Sequence, residues 1–91
     1  MFNKLKQFRD LRNQAKTLQN ALAGETIVVE KNNVKITMNG NMEIAQLNVN
    51  ETLSKSNLEK TLVDCVNEAI KKTQKVMAKK IQEMGGIQGL N

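Results

Sequence analysis

The sequence predicts an α+β fold in the order α-β-β-β-α: a three-stranded antiparallel meander flanked by two long protruding helices. Three observations carry this prediction. A Leu-rich heptad pattern runs over residues 2–23 and stops at Gly24. The next stretch, "TIVVEKNNVKITMNGNMEIAQLNV", alternates apolar and polar residues around two Asn-rich turn signals. A segment free of Pro and Gly then extends from a helix-start signature at Ser56 to Met84.

The first element, 1–24, is a helix because its apolar residues recur at helical spacing. Phe8, Ala15 and Leu22 lie seven apart, and Leu11 and Leu18 follow the first two by three. That is an a/d seam of about two heptads, with Leu5 beside it. Gly24 supplies the C-terminal stop. The seam is narrow enough to leave room for a partner helix.

Residues 25–50 read as the antiparallel sheet. Asn32-Asn33 and Asn39-Gly40 each suit a two-residue hairpin turn, in which both central residues take positive φ. Two such turns pair Val29 with Ile36 and Ile27 with Met38, then Val34 with Ala45 and Ile36 with Glu43. The period of two places Ile27, Val29, Val34, Ile36, Met38, Ala45, Leu47 and Val49 on one face. The opposite face carries Val28, Met42 and Ile44 among polar residues, more apolar than free solvation favours. Two explanations are open: a β-bulge near Ile44, or a second subunit covering part of this face. The second makes Val28, Met42 and Ile44 a dimer interface.

The last helix, 56–84, opens on Ser56-Asn57-Leu58-Glu59, which fits the S-x-x-E capping box. Its length of roughly 42 Å at 1.5 Å per residue exceeds the roughly 17–27 Å of five- to eight-residue strands. The helices therefore overhang the sheet. Leu58, Leu62, Val63, Cys65, Val66, Ala69 and Ile70 form a broad apolar face suited to covering a sheet. Beyond them the stripe thins to Thr73, Val76, Met77, Ile81 and Met84. The Gly-rich residues 85–91 read as a flexible tail, and 1–91 as a single domain.

Charge is distributed unevenly over the 91 residues, whose formal net charge is +5. The first helix sets Lys4, Lys6, Arg9, Arg12 and Lys16 against Asp10 alone. From Ala69 to Gln82 there are Lys71, Lys72, Lys75, Lys79 and Lys80 and no acid. Basic ends around a mildly acidic middle point to contact with a polyanion. A Lys-rich helix face also arises where water is its only neighbour, and Glu68 at helical spacing from Lys71 and Lys72 discounts the patch by one charge.

Several chemistries have no equipment here. With no His and one Cys, the usual general base is missing and no zinc set can be assembled. No phosphate-cradling glycine loop precedes a helix. Ser54 and Ser56 have no activating neighbour and read as turn and cap. No catalytic residue, metal site, cofactor or small-molecule substrate is predicted, and the chain is not read as an enzyme. Cys65, among apolar residues, reads as a buried structural thiol. No apolar run approaches the ~20 residues of a membrane span, and no signal-peptide pattern follows Lys4 and Lys6. The expected location is cytoplasmic, with no membrane partner.

Taken in order, the basic Leu-seamed helix, "VKITMNGNMEIAQLNV", "LVDCVNEAIKKTQKVMAKKI" and the "MGGIQGLN" end resemble the YbaB/EbfC family of bacterial nucleoid-associated proteins. The strongest local matches are V-K-I-T-M-N-G at 34–40 and V-N-E-A at 66–69. The likeness covers nearly the whole chain. It departs where the family often has glycines between helix and sheet, here "GETIVVEKNN", and where "DP" often follows the third strand, here Asn50-Glu51. The resemblance implies a homodimer whose helices protrude like tweezers and bind double-stranded DNA in nucleoid organisation.

The residues and the resemblance together favour a dimeric duplex-DNA binder. Its phosphate contacts would come from Lys4, Lys6, Arg9, Arg12 and Lys16 on one helix and Lys71, Lys72, Lys75, Lys79 and Lys80 on the other. Aromatic residues are limited to Phe2 and Phe8, so recognition by base stacking is disfavoured. Nothing marks a base-reading element, so little sequence specificity is expected. The alternative is a structural or adaptor protein whose helical arms bind another protein, since the a/d seam serves that purpose equally well.

Overall fold

A computed structural model describes residues 3–49 and 53–85, with side chains from Leu5 onward. The order is α1 (Asn3–Ala23), β1 (Thr26–Lys31), β2 (Val34–Asn39), β3 (Ile44–Val49) and α2 (Lys55–Glu83). The strands form one antiparallel sheet in the order β1-β2-β3. The protein is a rod of 63 × 19 × 19 Å, so the helices project well past the short sheet. The expected 85–91 tail lies outside the described residues beyond Gly85, as do residues 1–2 and 50–52.

The first hairpin follows the sequence closely. Asn32 and Asn33 take φ of 46° and 71°, the left-handed pair that a two-residue turn needs. Val29 faces Ile36 and Ile27 faces Met38, as the turn dictates. The second hairpin departs from expectation. Asn39-Gly40 does not form a two-residue turn. The Asn39 side-chain oxygen instead accepts from the backbone N–H groups of Asn41 (2.9 Å) and Glu43 (3.1 Å). Asn39 N–H donates to the Glu43 carbonyl at 2.9 Å, and the positive φ of 62° falls on Met42. An Asx-turn thus competes with the tight turn and wins.

The longer loop shifts the register of β3. Val34 pairs with Val49, Ile36 with Leu47 and Met38 with Ile44, with a bulge between Thr37 and Met38 that leaves Ala45 unpaired. The expected partners Val34–Ala45 and Ile36–Glu43 are therefore replaced. Directly paired residues share a face, so Ile44 belongs with Met38 on the helix side of the sheet, not on the opposite face. The spacing of Ile44, Leu47 and Val49, three and then two, is the trace of this extra residue.

The N-cap of α2 lies two residues before the Ser56 that the capping box suggested. Ser54 is the N-cap: its backbone is extended (φ −66°, ψ 159°), and its hydroxyl oxygen accepts from the Asn57 N–H at 3.3 Å. Ser56 is already helical. At the far end Gly85 adopts φ 80°, the left-handed stop that glycine allows.

The core lies between α2 and the first two strands. Ile27, Val29, Val34, Ile36 and Met38 meet Cys65 and Ala69, and Leu53, Leu58, Leu62, Val66, Ile70 and Val76 pack around them. The line of α2 nearest the sheet is Thr61, Cys65, Ala69 and Thr73, all buried. These residues are small and spaced by four, which lets the helix sit close to the strands. The Cys65 thiol points at the carbonyls of Val29 (3.6 Å) and Val34 (3.8 Å). α2 covers β1 and β2 but not β3. As a result Ile44 (49% exposed), Leu47 (50%) and Val49 (38%) are left open on the core side of the sheet.

Candidate nucleic-acid interface

α1 forms the arm. Its C-terminal end is fastened to the β2–β3 loop: Gly40 N–H donates to the Leu22 carbonyl at 2.9 Å, and the Asn41 amide donates to the Gln19 carbonyl at 3.0 Å. Leu22 is buried and Leu18 half-buried. Towards the N-terminus the support ends, and Leu11, Phe8 and Leu5 are progressively more exposed.

Lys6, Arg9, Arg12 and Lys16 are all exposed on this arm. At about 100° per residue, Lys6, Arg9 and Lys16 point away from the apolar seam and Arg12 borders it. Lys4 lies in α1, but its side chain is outside the described part. The four described cations form no salt bridge among the described residues.

α2 carries a second basic row. Lys71, Lys75 and Lys79 are exposed and spaced i, i+4, i+8, a line of about 12 Å along one side of the helix. They also make no salt bridge among the described residues. The two other predicted lysines differ. Lys80 is held at 3.1 Å by Glu25 and 3.7 Å by Glu83. The Glu25 hydrogen bond, reinforced by that carboxylate's charge, raises its pKa above the ordinary lysine value. Lys72 lies 3.7 Å from Glu68. Both are thus less available to phosphates than the other three.

These ion pairs also locate one flank of α2. Glu68 reaches across to Lys31 on β1 at 3.0 Å, and Lys80 reaches Glu25 just before β1. Lys71, Lys75 and Lys79 are turned away from the buried line Cys65, Ala69 and Thr73, whereas Lys72 and Lys80 lie on the flank that follows the β1 border of the sheet. The opposite side of α2, with Leu62, Val66 and Ile70, looks over β2 towards the uncovered β3. Val63, on the same side, is 59% exposed. The linear apolar pattern groups Val63 with the sheet-covering residues and does not separate the two flanks, because it does not say which strand a helix leaves bare.

The dimer residues inferred from sequence separate in space. Val28 pairs with Thr37 on the sheet face opposite α2 and is 47% exposed. Met42 lies in the β2–β3 loop, 42% exposed. Ile44 lies on the helix side with Leu47 and Val49. Ile44, Leu47 and Val49 form an uncovered apolar strip on the helix side of the sheet, beside the core that Leu62, Val66 and Ile70 border. Period-two reasoning missed it because it set Ile44 on the wrong face.

Among the described residues no three His, Cys, Asp or Glu side chains gather as a metal site, and no helix is long and apolar enough to cross a membrane. An open cleft by the first turn, lined by Asn32, Asn33, Asn57, Lys60, Thr61 and Asp64, holds no nucleophile beside a base and no paired carboxylates.

No curated protein matches the chain. The model of the YbaB/EbfC DNA-binding family matches residues 1–88, a span that includes both helices, the meander and every basic residue considered above, and the protein belongs to that family.

Proposed function

We propose that the protein is a homodimeric nucleoid-associated protein that binds double-stranded DNA through its basic helix faces with little sequence specificity, and so contributes to nucleoid organisation or gene regulation in the cytoplasm. The observation that carries the DNA contact is the exposed row Lys71, Lys75 and Lys79, together with Lys6, Arg9 and Lys16 turned outward on the arm. Lysines at such spacing meet successive phosphates as point charges and read no base edge. Lys4, Arg12, Lys72 and Lys80 are assigned lesser parts, the last two because carboxylates hold them.

The homodimer is supported by the strip around Ile44, Leu47 and Val49. A 91-residue chain with an aliphatic core gains from covering it. Its edge strand, "IAQLNV", has none of the charges that usually guard an open edge. Val28 and Met42 sit on surfaces that this contact does not need. Leu47→Asp is expected to convert the dimer to monomer in sedimentation at micromolar concentration, whereas Val28→Asp leaves it dimeric. The opposite result would return the interface to the far face of the sheet.

The DNA reading is tested by titrating a duplex and a scrambled duplex at several salt concentrations. Affinity should fall steeply with salt and differ little between the two sequences. Changing Lys71, Lys75 and Lys79 together to Gln should weaken binding and flatten the log–log slope by about 2.7, at about 0.9 per phosphate contact. Binding that ignores salt would favour an adaptor that holds another protein.

A further inference from the structure

The apolar seam of α1 is absorbed neither by the core nor by the proposed DNA contact. Phe8, Leu11, Ala15, Leu18 and Leu22 follow one another at intervals of three, four, three and four. Only Leu22 is buried; Leu11 is 48% exposed, Phe8 68% and the adjoining Leu5 81%. A stripe this narrow fits one helix laid alongside it and is too narrow for a sheet.

We infer that α1 of one dimer pairs in parallel with α1 of another dimer, so that dimers join through their arms. This rests on the dimer proposed above and is independent of DNA binding. The flanks of the seam argue for a second copy of the same helix. Leu5, Arg12 and Gln19 line one side, and Gln7, Gln14 and Ala21 the other. A foreign helix would be selected by complementary charge at these positions, and there is one charge in six. Of the remaining charges, Lys6, Arg9, Asp10 and Lys16 lie outside the contact and stay available to solvent or phosphates, and Lys4 precedes the seam, which begins at Phe8. Arg12 sets the direction. In an antiparallel pair that keeps Phe8 against Leu18 and Leu11 against Ala15, the two Arg12 side chains share one flank. In a parallel pair each Arg12 lies beside Gln7 of the other copy.

About two heptads make a weak and reversible contact. Two distinct self-association surfaces on one chain, one closed and one at the arm, build arrays larger than a dimer. The test uses Ala15→Cys, at the centre of the seam, in the full chain. Cys65 is buried, so the introduced thiol is the reactive one. Under mild oxidation Ala15→Cys should form a covalent link at least ten times faster than Lys16→Cys, one residue away on the outer side. The linked species should sediment as two or more dimers joined. Adding Phe8→Glu and Leu11→Glu to Ala15→Cys should abolish the link while the protein stays dimeric. Equal rates for the two cysteine variants would overturn the pairing and leave the seam to another protein or a lipid surface. A linked product no larger than one dimer would overturn the placement between dimers. If Leu47→Asp left the dimer intact, the β3 contact would fail, while the Ala15→Cys rate would still report on the arms.

Discussion

Gly40 and Leu22 are in contact without room for a single further carbon: a Cβ on Gly40 would come within 2.5 Å of the Leu22 carbonyl oxygen and 2.9 Å of its Cβ. Gly40 does not take a positive φ. Its glycine is required by the close approach of α1 to the β2–β3 loop, where Gly40 N–H donates to Leu22. This contact joins the arm to the sheet.

Gly40→Ala should therefore push α1 off its seat. Overpacking of this kind costs about 1–3 kcal/mol. Thermal unfolding should report the loss, and hydrogen exchange at Leu22, Gly24 and Gly40 should rise before exchange in the β1–β2 core. Gly24→Ala meets nothing closer than 3.7 Å and should change stability much less. Equal effects of the two substitutions would contradict the role given to the Gly40–Leu22 contact.

Thr73 is buried with no exposed surface, and its hydroxyl has no hydrogen-bond partner among the described residues. An unsatisfied hydroxyl costs about 1–3 kcal/mol of desolvation. Thr73→Val keeps the shape and removes the hydroxyl, so the melting temperature should rise by several degrees. A fall would mean that the hydroxyl has a partner in the assembled protein.

The Lys31–Glu68 pair gives stability a pH dependence. The hydrogen bond from Lys31 is the main cause that holds the Glu68 carboxyl below its ordinary range, with the charges of Lys31 and Lys72 adding to it. The same bond, and then the Glu68 charge, raises Lys31. A lowered carboxyl contributes stability above its unfolded pKa, about 4.3, and loses it as pH falls through the lower folded value. A raised lysine contributes below about 10.4 and loses it as pH rises through the higher folded value. Glu68→Gln should thus be less stable than the parent at pH 7. The difference should close below about pH 4, and denaturant midpoints across that range would show it. Both side chains are over a third exposed, so the effect is small and weakened by salt.

Cys65 should be slow to react. Burial is the first cause that raises its thiol above the ordinary value, and the Glu68 charge adds to it, so little thiolate forms at neutral pH. Labelling by a thiol reagent at pH 7–8 should track the open population and accelerate with denaturant. Rapid labelling of the native protein would show a path to the sulfur that the packing of α2 on β1 and β2 does not offer.

The element order, the first hairpin and most of the core were legible in the sequence, because each depends on local chemistry. Gly24 and the Gly85 region stop helices, and Asn32-Asn33 permits positive φ. The alternation in Ile27, Val29, Val34, Ile36 and Met38 selects one face. The basic residues of the proposed interface were equally legible as residue types. What local pattern did not decide was any choice between competing partners. Asn39-Gly40 satisfies a tight turn, yet the Asn39 side chain forms a larger loop and leaves Gly40 to fit against Leu22. That one outcome shifts β3 and carries Ile44 to the other face. Ser54 and Ser56 both suit a cap, and the earlier one takes it. The five lysines between 71 and 80 read alike in sequence; only the positions of Glu25, Glu68 and Glu83 in space hold Lys72 and Lys80 and leave Lys71, Lys75 and Lys79 outward. Local propensity acts over a few residues, whereas these choices are set by contacts across up to 55 positions, Glu25 to Lys80 among them, and such contacts exist only once the chain has folded.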